Sequence, residues 1–247
     1  MKHPLLSMLA GCLLAVGLSG CQEQPTEAGP SVAVSQSSSS TGEEISRDQA
    51  ISWTYNFRAQ YPEGLRAVGF SAEGIRSLLE QEGCTGIRIY HATNDSQENL
   101  LLLVGSDAAG RDQTDGLLLD ASPRCPKWCA VSPFAGNITG FAAAFAPDAV
   151  PVSQEEAIRW TATYQQNHIG ELRSMFYDEA TIESLLQQSH NRGIRIYQGI
   201  THNREPTFVL VGIDDNHEDQ LRNEDRFYAN GMPCTHGECM FSSLLLH

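Results

Sequence analysis

The chain has 247 residues and a net charge of −14, from 30 acidic and 16 basic side chains. A surface of that sign repels phosphate backbones and anionic headgroups, which argues against nucleic acid as a partner and against electrostatic docking on membranes. After the N-terminal segment no apolar run approaches the length of a membrane span, and some 200 residues remain for one large or two small domains.

Residues 1–20 read as a signal peptide. Lys2 and His3 precede an apolar run from about Leu5 to Leu18, too short to span a bilayer. The ending Leu18, Ser19, Gly20, Cys21 resembles the bacterial lipobox, which implies cleavage before Cys21, lipidation of its thiol and loss of Cys12 with the signal. Gln22, where aspartate would signal inner-membrane retention, extends that resemblance to the outer membrane of a Gram-negative cell. The expected address is therefore the cell envelope, with the acyl chains alone in the bilayer. Residues 21–45 are rich in Ser, Gln, Glu and Pro, cannot bury enough surface to offset their ordering entropy, and read as a flexible tether with a reach of about 25–30 Å.

Beyond the tether the sequence repeats itself with a shift of 107 residues. Ile51, Trp53 and Thr54 fall on Ile158, Trp160 and Thr161. Ile75, Leu78 and Leu79 fall on Ile182, Leu185 and Leu186. The run Gly86, Ile87, Arg88, Ile89, Tyr90 recurs as Gly193, Ile194, Arg195, Ile196, Tyr197, and Leu103, Val104, Gly105, Asp107, Asp112 and Gln113 recur as Leu210, Val211, Gly212, Asp214, Asp219 and Gln220. The expected organisation is repeat 1 over 46–130, a linker over 131–152 and repeat 2 over 153–247.

Each copy opens on a capping box, Ser46 with Gln49 or Ser153 with Glu156. A helix carrying Ala50, Trp53 and Phe57 (Ala157, Trp160 and Tyr164 in copy two) follows. Ser71 and Asp178 read as N-caps of a second, shorter helix. The period then changes from 3.6 to 2, placing Ile87 and Ile89 on one strand face and Arg88 and Tyr90 on the other. A second, more apolar strand completes a hairpin. The expected fold class is α+β, two tandem repeats each of two helices followed by a β-hairpin or small antiparallel sheet. Possible extra strands lie at 117–119 and 226–228. The linker is rich in Ala, Gly and Pro, and a short helix at 141–145 is its alternative reading.

The run from Glu82 to Tyr90, with Leu102 to Gly105, Asp107 and the pair Cys125 and Pro126, resembles small uncharacterised proteins of Bacteroidota that are usually one unit long. The resemblance covers 46–130 well and 153–240 less closely, since Asn191 stands where Cys84 does and Cys234, Thr235, His236 replace the Cys-Pro pair. It implies the domain and carries no activity with it.

Five cysteines remain after processing. Outside the inner membrane disulfides persist, and Cys125 with Cys129 and Cys234 with Cys239 occupy matching places at the end of each copy. That spacing favours two local bridges, leaving Cys84 over; a bridge from Cys84 to Cys125 or Cys129 is the alternative. Cys234, His236 and Cys239 could instead hold zinc or copper(I), and Asp214 to Asp219 alternates oxygens as calcium loops do but reads as an acidic turn. Arg88, Tyr90 and Asp107, with Arg195, Tyr197 and Asp214, are the binding candidates, either gripping an anionic ligand group or forming an Arg to Asp bridge that pins the hairpin. No established catalytic motif is present, and Cys84 with His91 is the one conceivable nucleophile and base. The sequence thus points to a partner-binding, ligand-binding or structural module without a cofactor. A metal-binding protein and a hydrolase with an unrecognised site are the alternatives.

Overall fold

The computed structural model describes residues 41–122, 124–125, 132–136, 148–235 and 243–246. No helix among them is long and apolar enough to cross a membrane. The first copy contains β1 (Glu43–Ile45), α1 (Arg47–Gln60), β2 (Ala67–Ser71), α2 (Ala72–Leu79), β3 (Cys84–Thr93), β4 (Asn99–Asp107), β5 (Leu118–Ser122) and β6 (Arg124–Cys125). The second repeats that order as β7 (Asp148–Pro151), α3 (Gln154–Asn167), β8 (Ser174–Asp178), α4 (Glu179–Leu186), β9 (Gly193–Ile200), β10 (Pro206–Ile213), β11 (Phe227–Ala229) and β12 (Met232–Cys234).

Local chemistry sets the helix starts. The Ser46 hydroxyl accepts from the Gln49 amide while Gln49 reaches back to Ser46, and Ser153 and Glu156 do the same for α3. Ser71 and Asp178 each end a strand and cap the helix that follows, accepting from Gly74 and Thr181.

The expected tandem of two helices and a hairpin is wrong in two respects. A five-residue strand separates the helices of each copy, and two six-stranded antiparallel sheets are built jointly by both copies. The first sheet runs β1-β11-β10-β9-β2-β6 and the second β12-β8-β3-β4-β5-β7. Strand β2 of copy one thus lies against β9 of copy two, from Ala67 opposite Tyr197 to Ser71 opposite Gly193. Reciprocally β8 lies against β3, from Gly86 opposite Asp178 to Tyr90 opposite Ser174. Each copy keeps its hairpin in one sheet and sends its β1-α1-β2 or β7-α3-β8 segment onto the other. Strands β1 and β7 lie inside stretches that read as tether and linker, because strands of three and four residues are too short to show alternation.

The glycine that opens each Gly-Ile-Arg-Ile-Tyr run is required by this exchange. A Cβ at Gly86 would lie 2.4 Å from the Tyr177 carbonyl oxygen, and one at Gly193 would lie 2.2 Å from that of Phe70. Any side chain there would push the neighbouring copy's strand away.

One face of each sheet turns towards a shared core. Val68, Phe70, Ile194, Ile196, Phe208 and Leu210 from the first sheet meet Ile87, Ile89, Leu101, Leu103, Met175 and Tyr177 from the second, and α2 and α4 complete it with Ile75, Leu78, Ile182 and Leu185. The Tyr177 hydroxyl donates to the Phe208 carbonyl of the opposite sheet at 2.9 Å. Helix α1 covers the outer face of the first sheet through Ala50 and Trp53, together with the turn at 132–136, where Phe134 is fully buried. Helix α3 covers the second sheet through Ala157, joined by Leu245 near the C-terminus. Part of the expected linker is therefore core; residues 141–145, read as a possible helix, lie outside the described residues.

Because each sheet needs strands from both copies, cutting the chain between them should not separate it. A protease site inserted within residues 137–147 and cleaved to completion is expected to leave both fragments in one particle of the intact mass, measured by light scattering in native and reducing buffer. Two separate folded halves would overturn the exchange.

Candidate functional site

Alternation along β3 and β9 places the isoleucines in the shared core and the arginines and tyrosines on the outer faces. There Arg88 pairs with Asp112, and its Nη2 donates to the Gly110 carbonyl at 3.1 Å. The Asp112 carboxylate, with no exposed side-chain surface, also accepts from the hydroxyls of Tyr90, Ser106 and Ser243. Copy two repeats the arrangement. Arg195 pairs with Asp219, which also accepts from Tyr197 at 2.6 Å and from Ser132. Burial first, and then the adjacent carboxylate, pushes both tyrosine hydroxyls well above their ordinary range.

Asp107 and Asp214 do not join these clusters. Asp107 accepts from the amides of Ala109 and Arg111 at 2.9 Å, and Asp214 from those of Asn216 and Glu218 at 2.8 and 3.0 Å. They hold tight turns that bring the aspartate five residues later beside the strand, where Ser106 bridges Asp112 and Ile213 bridges Asp219. The recurrence of Asp112 and Asp219 in both copies was the available signal; adjacency to the strand end favoured the wrong pair. With Arg88 3% exposed and Tyr90 and Tyr197 fully buried, these side chains pin the hairpins and do not face solvent.

A different feature lies where the two copies cross. His91 on β3 and Gln198 on β9 are equivalent positions, and they touch, with Gln198 Nε2 3.4 Å from His91 Nδ1. Equivalent residues can meet only on the local twofold axis relating the copies. Above them opens a cavity of about 440 Å³, within the usual range of about 300–1,000 Å³ for small-molecule sites. Its walls come in equivalent pairs: Phe57 and Tyr164, Tyr61 and His168, Leu65 and Leu172. The C-terminal turns of α1 and α3 position the first two pairs, and the loops after them supply the third. Glu171, Arg204 and Pro206 also line it.

The cavity is aromatic and holds two imidazoles of different character. Tyr164 stacks on His91 at 4.8 Å and on His168 at 4.0 Å, both at 11°. His168 Nδ1 lies 2.9 Å from the Tyr164 carbonyl, which can only accept, so Nδ1 carries the proton and Nε2 of the neutral ring is an acceptor. The Gln198 amide nitrogen can only donate, so the proton of His91 sits on Nε2. The Tyr164 hydroxyl donates to Glu171 at 3.3 Å and is pushed up, by burial first and then by that carboxylate. Apolar walls with a few convergent donors and acceptors suit reversible binding of a small molecule. The sequence showed Phe57 and Tyr164 only as a helix face, and His168, Glu171 and Arg204 carried no motif.

The cysteines lie elsewhere. Cys84 is a free thiol whose Sγ contacts the Gly86 carbonyl at 3.2 Å. Seven residues of strand, roughly 20 Å at the usual rise, separate it from His91, so the two do not form a nucleophile and base. Cys125 and Cys234 are each disulfide-bonded, though not to one another, since they lie in different sheets, while Cys21, Cys129, His236 and Cys239 lie outside the described residues. A disulfide sulfur is not the thiolate that zinc or copper(I) requires, which removes Cys234 from that ligand set. Among the described residues no three His, Cys, Asp or Glu side chains converge as metal ligands. In the acidic turn Asp214 faces backbone amides and Asp219 faces Arg195, so their oxygens do not share a centre. No protein-family model, curated protein or solved structure matches the chain.

Removing one member of a buried ion pair leaves the other charge uncompensated, at a cost of about 3–5 kcal/mol. Asp112→Ala and Asp219→Ala should each lower stability by that order in chemical denaturation, whereas Asp107→Ala, in a solvent-screened turn beside the exposed Arg111, should lower it far less. Equal effects would mean that the buried clusters do not pin the hairpins.

His91 generates a pH dependence. Burial, with His168 adding like-charge repulsion, pushes its pKa down to about 3, whereas an unfolded histidine protonates near about 6.5. Between those values the unfolded chain holds the extra proton, so this contribution to stability is complete above about pH 6.5 and declines as pH falls towards 3. His91→Gln, which installs the residue already at position 198, should flatten the stability profile between pH 6.5 and 5 by about 1 kcal/mol per pH unit. Parallel profiles for the two proteins would show that His91 charges freely in the fold.

Proposed function

We propose that this chain is a lipid-anchored envelope protein acting as a non-catalytic binding module, with the cavity on the local twofold axis as its ligand site. The cavity itself carries this reading: aromatic walls from both copies enclose about 440 Å³ around two imidazoles, one presenting a donor and the other an acceptor. The Arg and Tyr face that the sequence favoured is consumed by buried aspartates, which supports moving the site to the axis. The envelope address rests on the lipobox-like ending at Cys21, and an acidic chain has little other means of staying on a membrane.

Two measurements test it. Cys21→Ala should move the protein from the membrane pellet to the salt-washed supernatant, and retention in the pellet would refute the anchor. For the cavity, four indole compounds of different charge serve as calorimetric probes: L-tryptophan, tryptamine, indole-3-propionate and 3-methylindole. At least one should bind, and Pro206→Trp, which adds bulk at an exposed wall position, should abolish that binding without lowering stability. No binding by any probe, or equal binding by the variant, would refute the site.

A further inference from the structure

Resting on the axial cavity as the binding site, we infer that its ligand is a zwitterion with an apolar or aromatic body, of the class of free α-amino acids with large apolar side chains. The cavity walls carry one full positive charge, Arg204, and one full negative charge, Glu171. Among the ion pairs of the described residues neither takes part, and Glu171 accepts only the long hydrogen bond from Tyr164. A carboxylate meets the planar fork of an arginine with two parallel hydrogen bonds, and an ammonium meets a carboxylate with a charge-assisted one. A ligand bearing both groups satisfies both walls and adds no net charge to a chain already at −14, whereas a simple anion would enter against the repulsion of the whole surface. The apolar remainder then lies against Phe57, Leu65, Leu172 and Ile200.

The two charges come from copy two, but the strand exchange sets them on opposite sides of the axis: Glu171 leads into β8 of the second sheet, and Arg204 lies in the β9–β10 turn of the first. The positions equivalent to Glu171 and Arg204 are Gly64 and Gln97, so the cavity has an acidic end and a basic end although the fold around it is symmetric. Such a cavity accepts an asymmetric ligand in one orientation. Arg204 sits in a turn with φ 67°, matching φ 62° at Gln97, so the backbone of the two turns is alike and the side chain alone makes the difference.

The four indole compounds share a ring and differ in charge, which separates this inference from the site it depends on. L-tryptophan should bind about tenfold or more tightly than 3-methylindole, as expected for charge-assisted contacts. Arg204→Gln should weaken tryptophan and indole-3-propionate by about tenfold and leave tryptamine unchanged. Glu171→Gln should weaken tryptophan and tryptamine and leave indole-3-propionate unchanged. Both side chains are exposed, so both variants should melt at the wild-type temperature, which a thermal melt checks. If 3-methylindole binds as tightly as tryptophan, or the variants affect all charged probes alike or none, the zwitterion inference is overturned while the cavity remains the site. If no probe binds, the site itself fails and the inference with it.

Discussion

The backbone ladder between β2 and β9, and its counterpart between β8 and β3, decides where everything else goes. In each sheet the exchanged strand has neighbours on both sides, so its amides and carbonyls have ladder partners on either edge. Without it the hairpin would present an unpaired inner edge to solvent, a template for aggregation. Helices α1 and α3 follow their strands, because only six residues join α1 to β2 and six join α3 to β8. Each helix therefore covers the sheet of the other copy, and the ends of both helices meet at the crossing point. The cavity is what remains between them, so it exists only because the strands are exchanged.

The buried aspartates fix the same arrangement from the outer faces. Taking a carboxylate out of water costs several kcal/mol, which is offset only when its lone pairs are filled with good geometry. Asp112 and Asp219 each accept from an arginine, a tyrosine and a serine brought from far along the chain. That serine is Ser243 of copy two for the copy-one aspartate, and Ser132, in the turn that follows copy one, for the copy-two aspartate. Arg58 and Arg66 hold the turn carrying Ser132 by donating to the Phe134 and Ala135 carbonyls. The acids thus join segments from both copies, and a sheet assembled with the wrong tail would leave a buried carboxylate without one partner.

Local structure was readable in the sequence because it depends on neighbours in the chain. Capping boxes, the helix faces of Ala50 and Trp53, and the alternation of Ile87 with Arg88 follow from periods of 3.6 and 2 and appear in the fold. The strands β2 and β8 were invisible because five residues ending in an N-cap look like a loop entering a helix. Their partners were invisible for a deeper reason: an internal repeat shows that two units are alike and says nothing of whether they exchange segments. Gly86 and Gly193 were the trace of that exchange, but a glycine at a strand start has many uses, and only the carbonyl packed against it shows which applies. The candidate site left no such trace. Residues kept in both copies are those the fold requires, namely the pins, whereas His91, His168, Glu171 and Arg204 lie where the copies differ.

Those differences acquire meaning from the axis. In a dimer of identical chains, a residue on the twofold axis meets its own copy, so a histidine would face a histidine and a charge would face its like. Two carboxylates or two guanidinium groups across a small cavity repel, and opposite charges cannot be placed on opposite sides independently. Joining two units in one chain removes that restriction while the exchanged sheets keep the geometry. His91 can then face Gln198, whose amide donor complements the imidazole acceptor, where two histidines would compete for the same proton arrangement. Tyr61 and His168, or Gly64 and Glu171, can diverge in the same way without touching a ladder hydrogen bond, because they lie in and after the helix C-terminal turns. The fused chain thus combines a symmetric frame, which its stability needs, with an asymmetric cavity, which discrimination between the two ends of a ligand needs.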